Sequence, residues 1–363
     1  MKIERIDKSA YKTFADVSKS VYQGNKYYRG TQSSVEKMLL LNKSSFKNHS
    51  TSRMYIIRDG NDIVGRFALI NDYRLSEYIQ VSFFEAQEGL GDIFSLIKKE
   101  AKNYIPECSK IIVGLNGHLN YGAGVLQNHF DKVPLFGLPY NPDYYSNYFK
   151  ELKERRMFTF KFSMEAYIEW SKMYSPNRKI EGLNVRFMNK KDIKKESAIY
   201  TKLNSQAFVN HPYWADRDVE EDQELFYPFR FLLDNEHLII AEKDNKPVGF
   251  YLWYPDFNQL IENQRDFNAL DVLKNKLNNK IDTFRFTEIG ILPEYQGSPV
   301  ALALISKSVP KLIEKGYKFC EGGFIFEENR ASIAFVSRIL QRIYGKKPEP
   351  YKQFAVFETE LTS

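Results

Sequence analysis

Residues 284–305 read FRFTEIGILPEYQGSPVALALI, and the rest of the chain is organised around them. An apolar run ends at Pro293, a polar turn follows (Glu294, Tyr295, Gln296, Gly297, Ser298), and Pro299 opens an apolar segment with helical spacing. The pattern predicts strand, tight turn and helix, with Pro299 at the first helical position, where its missing N–H costs nothing. A turn that leads straight into a helix leaves the first backbone N–H groups unpaired at the positive end of the helix dipole. Such a terminus accepts an anion readily. On these residues alone two readings stand: an ordinary crossover, or a cradle for a phosphate.

The bulk properties narrow the class. At 363 residues the chain exceeds the usual single domain, so two domains are expected. With 43% hydrophobic and 27% charged residues it has the composition of a globular protein. A net charge of +6 spread over the chain suits an anionic cofactor but lacks the dense basic footprint of a nucleic-acid binder, so no nucleic-acid partner is expected. Cys108 and Cys320 are far apart and match neither a disulfide framework nor a metal spacing, and no metal is expected. The charged N-terminus lacks a signal-peptide core and no long apolar run occurs, which predicts a soluble cytoplasmic protein without a membrane segment.

Along the chain, Ser33–Leu41 has helical spacing, and Met54–Leu69 forms a hairpin about Asp59-Gly60-Asn61-Asp62. A strand at Tyr78–Phe84, a helix at Gly91–Tyr104 and a buried strand at Ser109–Leu115 follow. Two glycine-, asparagine- and proline-rich segments, 114–124 and 137–145, read as turns or as the lining of a cleft, the second leading into a helix capped by Asp143. After a strand at Met157–Phe162 and a helix at Glu165–Tyr174, a polar stretch at 175–182 marks a linker. The pattern then restarts with a strand at Leu183–Met188, helices at Asp192–Phe208 and Asp222–Leu233, and a hairpin over 238–254. IIRDGNDIVGRFALI at 56–70 and IIAEKDNKPVGFYLW at 239–253 share strand, charged turn, Val-Gly, strand, so the chain reads as two diverged copies of one α/β unit, 1–174 and 183–363. Asn268–Ile281 reads as an inserted amphipathic surface helix, and Tyr317–Phe326 as a strand followed by a helix that starts within 327–331.

Gln296, Gly297, Ser298, Pro299, Val300 and Ala301 resemble the acyl-CoA loop of the GNAT acetyltransferase superfamily, with Pro299 where that pattern has its middle glycine. PYNPDYY at 139–145 and LPEYQG at 292–297 are similar to segments of bacterial tandem-GNAT proteins. The resemblance implies two tandem GNAT-like units, each a mixed twisted sheet flanked by helices, in which the fourth and fifth strands splay and the cofactor's arm lies in the gap. It implies acetyl-CoA or another acyl-CoA as cofactor, with Gln296, Gly297, Ser298, Val300 and Ala301 at the diphosphate, the N–H near Ile291 at the thioester carbonyl and Asn329 on the arm. Pro299 removes one donor, worth about 1.5–3 kcal/mol if the bond is charge-assisted.

The implied activity is N-acylation, most simply N-acetylation, of a primary amine on a small molecule or peptide, with Glu288 as general base. An alternative for Glu288 is a carboxylate paired with a neighbouring arginine. The family's frequent acid, a tyrosine about seven residues past the asparagine, falls on Val336, and Tyr344 and Tyr351 are substitutes that spacing does not place. In the first unit the matching turn, Glu85 to Gly91, sets two carboxylates where a phosphate would sit, so only the second unit is expected to bind CoA. Two rival functions remain at this level: a non-catalytic binding protein of the same fold, and a transferase using aminoacyl-tRNA. Cys320 reads as a buried structural thiol, and His211-Pro-Tyr-Trp214 as a helix cap in preference to a gate over an acceptor.

Overall fold

The computed structural model describes residues 1–30, 33–173, 180–227, 230, 232–262, 270–271, 273 and 280–361. The first unit runs β1 (Lys2–Ile6), α1 (Tyr11–Val21), α2 (Ser33–Leu40), β2 (Ser50–Asp59), β3 (Asp62–Asp72), β4 (Tyr78–Ala86), α3 (Ile93–Tyr104), β5 (Lys110–Val113), β6 (Val125–Leu126), α4 (Tyr145–Phe149), β7 (Lys153–Ser163) and α5 (Met164–Lys172). The second runs β8 (Leu183–Phe187), α6 (Ile193–Phe208), α7 (Val219–Phe226), β9 (Leu238–Lys243), β10 (Lys246–Pro255), β11 (Thr283–Ile291), α8 (Val300–Glu314), β12 (Phe319–Phe326), α9 (Arg330–Tyr344) and β13 (Gln353–Glu360).

Local chemistry accounts for several boundaries. Asp92 caps α3 by accepting from Ser95 N–H at 3.1 Å, and Ser163 caps α5 through Ala166 N–H at 3.1 Å. Asp218 and Glu221 close a reciprocal capping box on α7. That helix therefore begins before Asp222, where the apolar spacing placed it, and ends at Phe226. Asp143 does not cap: α4 starts at Tyr145 with Tyr144 at its N-cap and no side-chain bond. Pro299 sits at the N-cap of α8, one position earlier than expected, with φ −67° and ψ −2°. Most of the surface helix expected at 268–281, and the linker residues 175–179, lie outside the described residues.

The two units share one sheet, ordered β1-β2-β3-β4-β5-β13-β7-β12-β11-β10-β9-β8, with β6 pairing β13. The last strand of each unit is exchanged. β7 pairs β12 of the second unit, β13 pairs β5 of the first, and β7 and β13 pair each other. Among the described residues β4–β5 and β11–β12 are the parallel pairs, each over four residue pairs. The Val-Gly step that marked the repeat has one cause in both copies. A Cβ on Gly65 would lie 2.9 Å from Glu85 O, and one on Gly249 3.0 Å from Gly290 O, so the hairpin strand could not approach β4 or β11.

Helices cover both faces of the sheet. In the second unit Trp253 and Phe284 of the sheet pack with Tyr167 of α5 and Val300 and Leu304 of α8, and Phe250 packs with Tyr200 and Leu203 of α6 and Phe226 of α7 on the other side. Cys108 and Cys320 are buried free thiols. No helix among the described residues is long and apolar enough to cross a membrane.

The exchanged strand should make the two units unfold together. Phe354 on β13 is fully buried and packs in the cluster that joins Ile112 of β5, Met157 of β7 and Phe326 of β12. Phe354→Ala is expected to cost about 3–5 kcal/mol, read as one shifted transition in denaturant by both near-UV and far-UV circular dichroism. Two separated transitions would count against a shared core.

Candidate active site

The β11–β12 ladder ends at Phe286↔Gly322. On its other edge β12 pairs β7 from Phe319 to Phe326, with a register break between Gly322 and Ile325 just past the end of the β11 ladder. Gly323 sits at the divergence, where a Cβ would lie 2.7 Å from Thr287 O and wedge the strands. On its other edge β11 is continuous with β10, but a register shift between Leu252 and Trp253 leaves Thr287 without a partner. A bulge of this kind re-aims side chains and is frequent beside functional sites. Leu292 N–H bonds Val248 O at 3.0 Å. Because antiparallel pairs alternate between bonded and non-bonded, the N–H groups of Ile289 and Ile291 face the open gap.

Glu288 projects beside this gap against α6. Tyr200 Oη donates to its Oε2 at 3.0 Å and Asn204 Nδ2 donates to the same oxygen at 2.7 Å. Tyr200 and Asn204 are four apart on α6 and so share one face. Arg217 pairs with Asp222 at 2.9 Å and reaches Glu288 only through Asn204, whose Oδ1 accepts from Arg217 Nη2 at 3.2 Å. The direct arginine pair considered for Glu288 is therefore replaced by a relay of neutral donors. Burial raises the Glu288 carboxyl above its ordinary range, while Arg217 and the bonds from Tyr200 and Asn204 act against the rise. Burial also pushes the Tyr200 phenol well up, so it remains a donor. The first unit contributes: Asn120 Nδ2 donates to Tyr200 Oη at 3.1 Å.

Glu288 borders a cavity of about 330 Å³ that runs from the strand gap to the boundary between the units. Its walls are largely aromatic, including Phe160, Trp170, Phe208, Trp214, Phe286 and Phe335. Glu288 and Asn329 both line it, as does Val336 where a phenol was expected. Tyr344 and Tyr351 do not line it, and Tyr344 Oη is bonded to Ser163. His211 and Trp214 line the cavity while Asp218 caps the next helix, so the segment is a wall and not the cap it resembled. Asn329 caps α9, its Oδ1 accepting from Ser332 N–H at 3.1 Å. His49, Asp218 and Glu221 are the carboxylate and imidazole groups close enough to share an ion among the described residues; they lie outside the cavity lining, and Arg74 already bonds Glu221 at 2.8 Å.

Ile291, Gln296, Gly297, Ser298, Val300 and Ala301 lie farther along β11 and are not part of that lining. In the turn, Ser298 N–H and Oγ bond Tyr295 O at 3.2 and 2.5 Å, and Gln296 Nε2 bonds Ile291 O at 3.1 Å. The first helical bond of α8 is Ala303 N–H to Pro299 O, so among the described residues the N–H groups of Gly297, Ala301 and Leu302 have no backbone acceptor. Gly297 has φ +76° and a Cβ position with nothing within 4 Å. A free-donor turn and a gap lined by two strand N–H groups suit an extended ligand carrying oxygens at its diphosphate and amide groups.

The first unit has the same gap and fills it with its own chain. Ala86 stands at the register of Ile291, since Gly65 pairs Ala86 as Gly249 pairs Ile291. Ala86 N–H donates to Tyr145 Oη at 2.9 Å, Tyr144 Oη donates to Ala86 O at 2.9 Å, and Leu90 N–H donates to Tyr148 Oη at 3.3 Å. Glu85 does not face the turn as expected. It points inward, accepts from Tyr145 Oη at 2.6 Å, and burial lifts its carboxyl to about 7. Tyrosine hydroxyls of the PYNPDYY segment thus hold the groups a ligand would use.

Sequence reasoning missed Tyr200, Asn204, Arg285 and Trp170. The first two carried a signal in their helical spacing; Trp170 comes from α5, and Arg285, though on β11 itself, is set apart only by the lack of a carboxylate partner among the described residues.

Comparison with known proteins bears on the fold. Residues 199–340 match the model of the acetyltransferase (GNAT) family. A tandem GNAT protein from the clavulanic acid biosynthesis pathway superposes over 100% of this chain and 99% of its own, with a TM-score of 0.55 at 9% identity. A GCN5-related N-acetyltransferase from Sphaerobacter thermophilus covers 100% and 96%, with a TM-score of 0.52 at 10% identity. Protein YghO of Escherichia coli K12 is 21% identical over 345 residues, 88% of this chain and 85% of that protein. The family match thus falls within the second unit, and the chain as a whole shares the fold of a solved tandem GNAT protein.

If Tyr145 stands in for a ligand in the first unit, Tyr145→Phe leaves Ala86 N–H and the Glu85 carboxyl each short of a partner. A loss of about 1–3 kcal/mol is expected in the urea midpoint. No change would mean that the hydroxyl closes nothing.

Proposed function

We propose that the protein is an acyl-CoA-dependent N-acyltransferase, most simply an acetyltransferase, that uses its second unit to acylate a primary amine of a small molecule or peptide in the cytoplasm. The observation that carries the reading is the placement of Glu288, a carboxyl raised by burial, at the gap left open between β11 and β12. Acyl-CoA, when bound, supplies a thioester activated for attack. Gly297 and Ala301, whose N–H groups are free among the described residues, would hold its diphosphate; Ser298 and Val300, bonded to Tyr295 O and to Ser298 Oγ, shape the turn, as Gln296 does through Ile291 O. The strand N–H groups of Ile289 and Ile291 polarise a carbonyl laid in the gap, and Asn329 borders the arm's path. Glu288, directly or through a water, takes the proton from the attacking ammonium or amine. Tyr200 and Asn204 hold its carboxylate in one orientation.

A non-catalytic binding role is the second reading. Val336 favours it, since an aliphatic side chain in the cavity offers no proton to a leaving thiolate.

The two readings separate in one assay series. Calorimetric titration with acetyl-CoA is expected to show one site per chain, and Gly297→Glu to abolish it; two sites would overturn the assignment to the second unit, and none at millimolar cofactor the whole cofactor reading. With an amine panel, Glu288→Gln is expected to lower kcat by about 10²–10⁴-fold. A base must be deprotonated to act. The raised Glu288 carboxyl therefore predicts that kcat/KM climbs with pH through a midpoint above the ordinary glutamate value near 4.5 and then levels, a limb absent from Glu288→Gln. Cofactor binding without turnover of any amine would favour the binding role.

A further inference from the structure

Beyond Glu288 the cavity holds a feature that acyl-CoA does not explain. Arg285 is 7% exposed, lines the cavity, and among the described residues has no carboxylate oxygen within ion-pair distance. Its Nη1 donates to Phe136 O at 2.8 Å and to Tyr254 Oη at 3.0 Å, while its Nε has no partner. The nearest acid in register is Glu321 on β12, and that carboxylate is engaged by Lys352 at 3.5 Å and Thr159 Oγ1 at 3.2 Å. A buried guanidinium used only as a brace would be paired.

The site is built for this side chain. Gly137, at φ +79°, leaves the guanidinium its space, because a Cβ there would lie 2.5 Å from Arg285 Nη1. The glycine comes from the first unit's 137–145 segment, whose other end fills the first unit's gap. Two further buried polar atoms of the cavity also lack partners, Thr287 Oγ1 and Trp170 Nε1. All three groups can donate, so a ligand that satisfies them brings oxygen acceptors.

Position separates this cluster from the cofactor. Arg285 and Ile291 are six residues apart on β11, about 20 Å at the rise of a strand. The diphosphate turn lies past Ile291, so Arg285 is at the opposite end of the gap. Glu288 lies between them, three residues or about 10 Å from Arg285 along the strand.

We propose that Arg285 is a specificity residue for the amine acceptor, which carries a carboxylate: the amine is presented to Glu288 and the carboxylate to the Arg285 guanidinium, with an apolar body against the aromatic walls. This rests on the acyltransferase reading for the role of Glu288, but not for the anion site itself.

Matched acceptors test it, each pair differing only in the carboxylate: 6-aminohexanoate against hexylamine, and phenylalanine against phenethylamine. In acetyl transfer, the acid member of at least one pair is expected to have the higher kcat/KM by tenfold or more. Arg285→Gln should bring that ratio to near one, and Arg285→Lys should keep part of it. Equal use of acid and amine by the wild-type protein, or a preference that survives in a folded Arg285→Gln, would overturn the proposal while leaving the acyltransferase reading intact. Calorimetry without cofactor separates the two failures. Binding of an acid member at least tenfold tighter than its amine partner, lost in Arg285→Gln, supports the anion site even if no acyl transfer occurs. No such difference in the wild-type protein overturns it, whatever the variants do.

Discussion

The parallel pairing of β11 with β12 holds for four residue pairs and then fails, and the open strand edge of the second unit follows from that failure. A continuous ladder would consume the N–H groups on that edge of β11. Here Gly323 brings the β12 backbone against Thr287 and then releases it, so the strand edge past Thr287 keeps its donors facing a gap. The bulge at Thr287 turns Glu288 toward α6, where Tyr200 and Asn204 fix it. An unpaired strand edge is a liability on a protein surface. Here it is enclosed between helices and borders a cavity.

The first unit shows the same break with the opposite outcome. Its gap is occupied by Tyr144, Tyr145 and Tyr148, whose hydroxyls meet Ala86 and Leu90 as an external ligand would. One copy of the fold has turned its groove into internal structure, and the other has kept it open. The freed half then serves the open one. Asn120 steadies Tyr200, and Phe136 and Gly137 seat Arg285. Exchange of β7 and β13 makes this dependence obligatory, since each unit's sheet is completed by the other's final strand.

Local periodicity announced most of the elements, because apolar alternation, helical spacing and turn residues act over a few positions. The hairpins about Asp59-Gly60 and Asp244-Asn245 and the strand–turn–helix at 284–305 were legible in this way, as was the duplication through its Val-Gly steps. Errors arose where a distant partner decides. Asp143 has the chemistry of a cap but stands two residues before a short helix that Tyr145 anchors in the first unit's gap. His211 to Trp214 resembled a cap because the box that caps α7, Asp218 with Glu221, lies just beyond it.

What the sequence by itself determined is the fold, the repeat, the turn into α8 with its free backbone donors and Glu288 as the carboxyl on the strand leading to it. These depend on short-range spacing and on backbone donors that any turn into a helix exposes. Only the tertiary structure decided which gap is open, what holds Glu288, and that Arg285 in the same cavity has no carboxylate partner among the described residues. Those facts depend on contacts between residues about 80 to 150 positions apart, such as Tyr200 with Asn120 and Arg285 with Phe136, and on a strand exchange that no local pattern encodes.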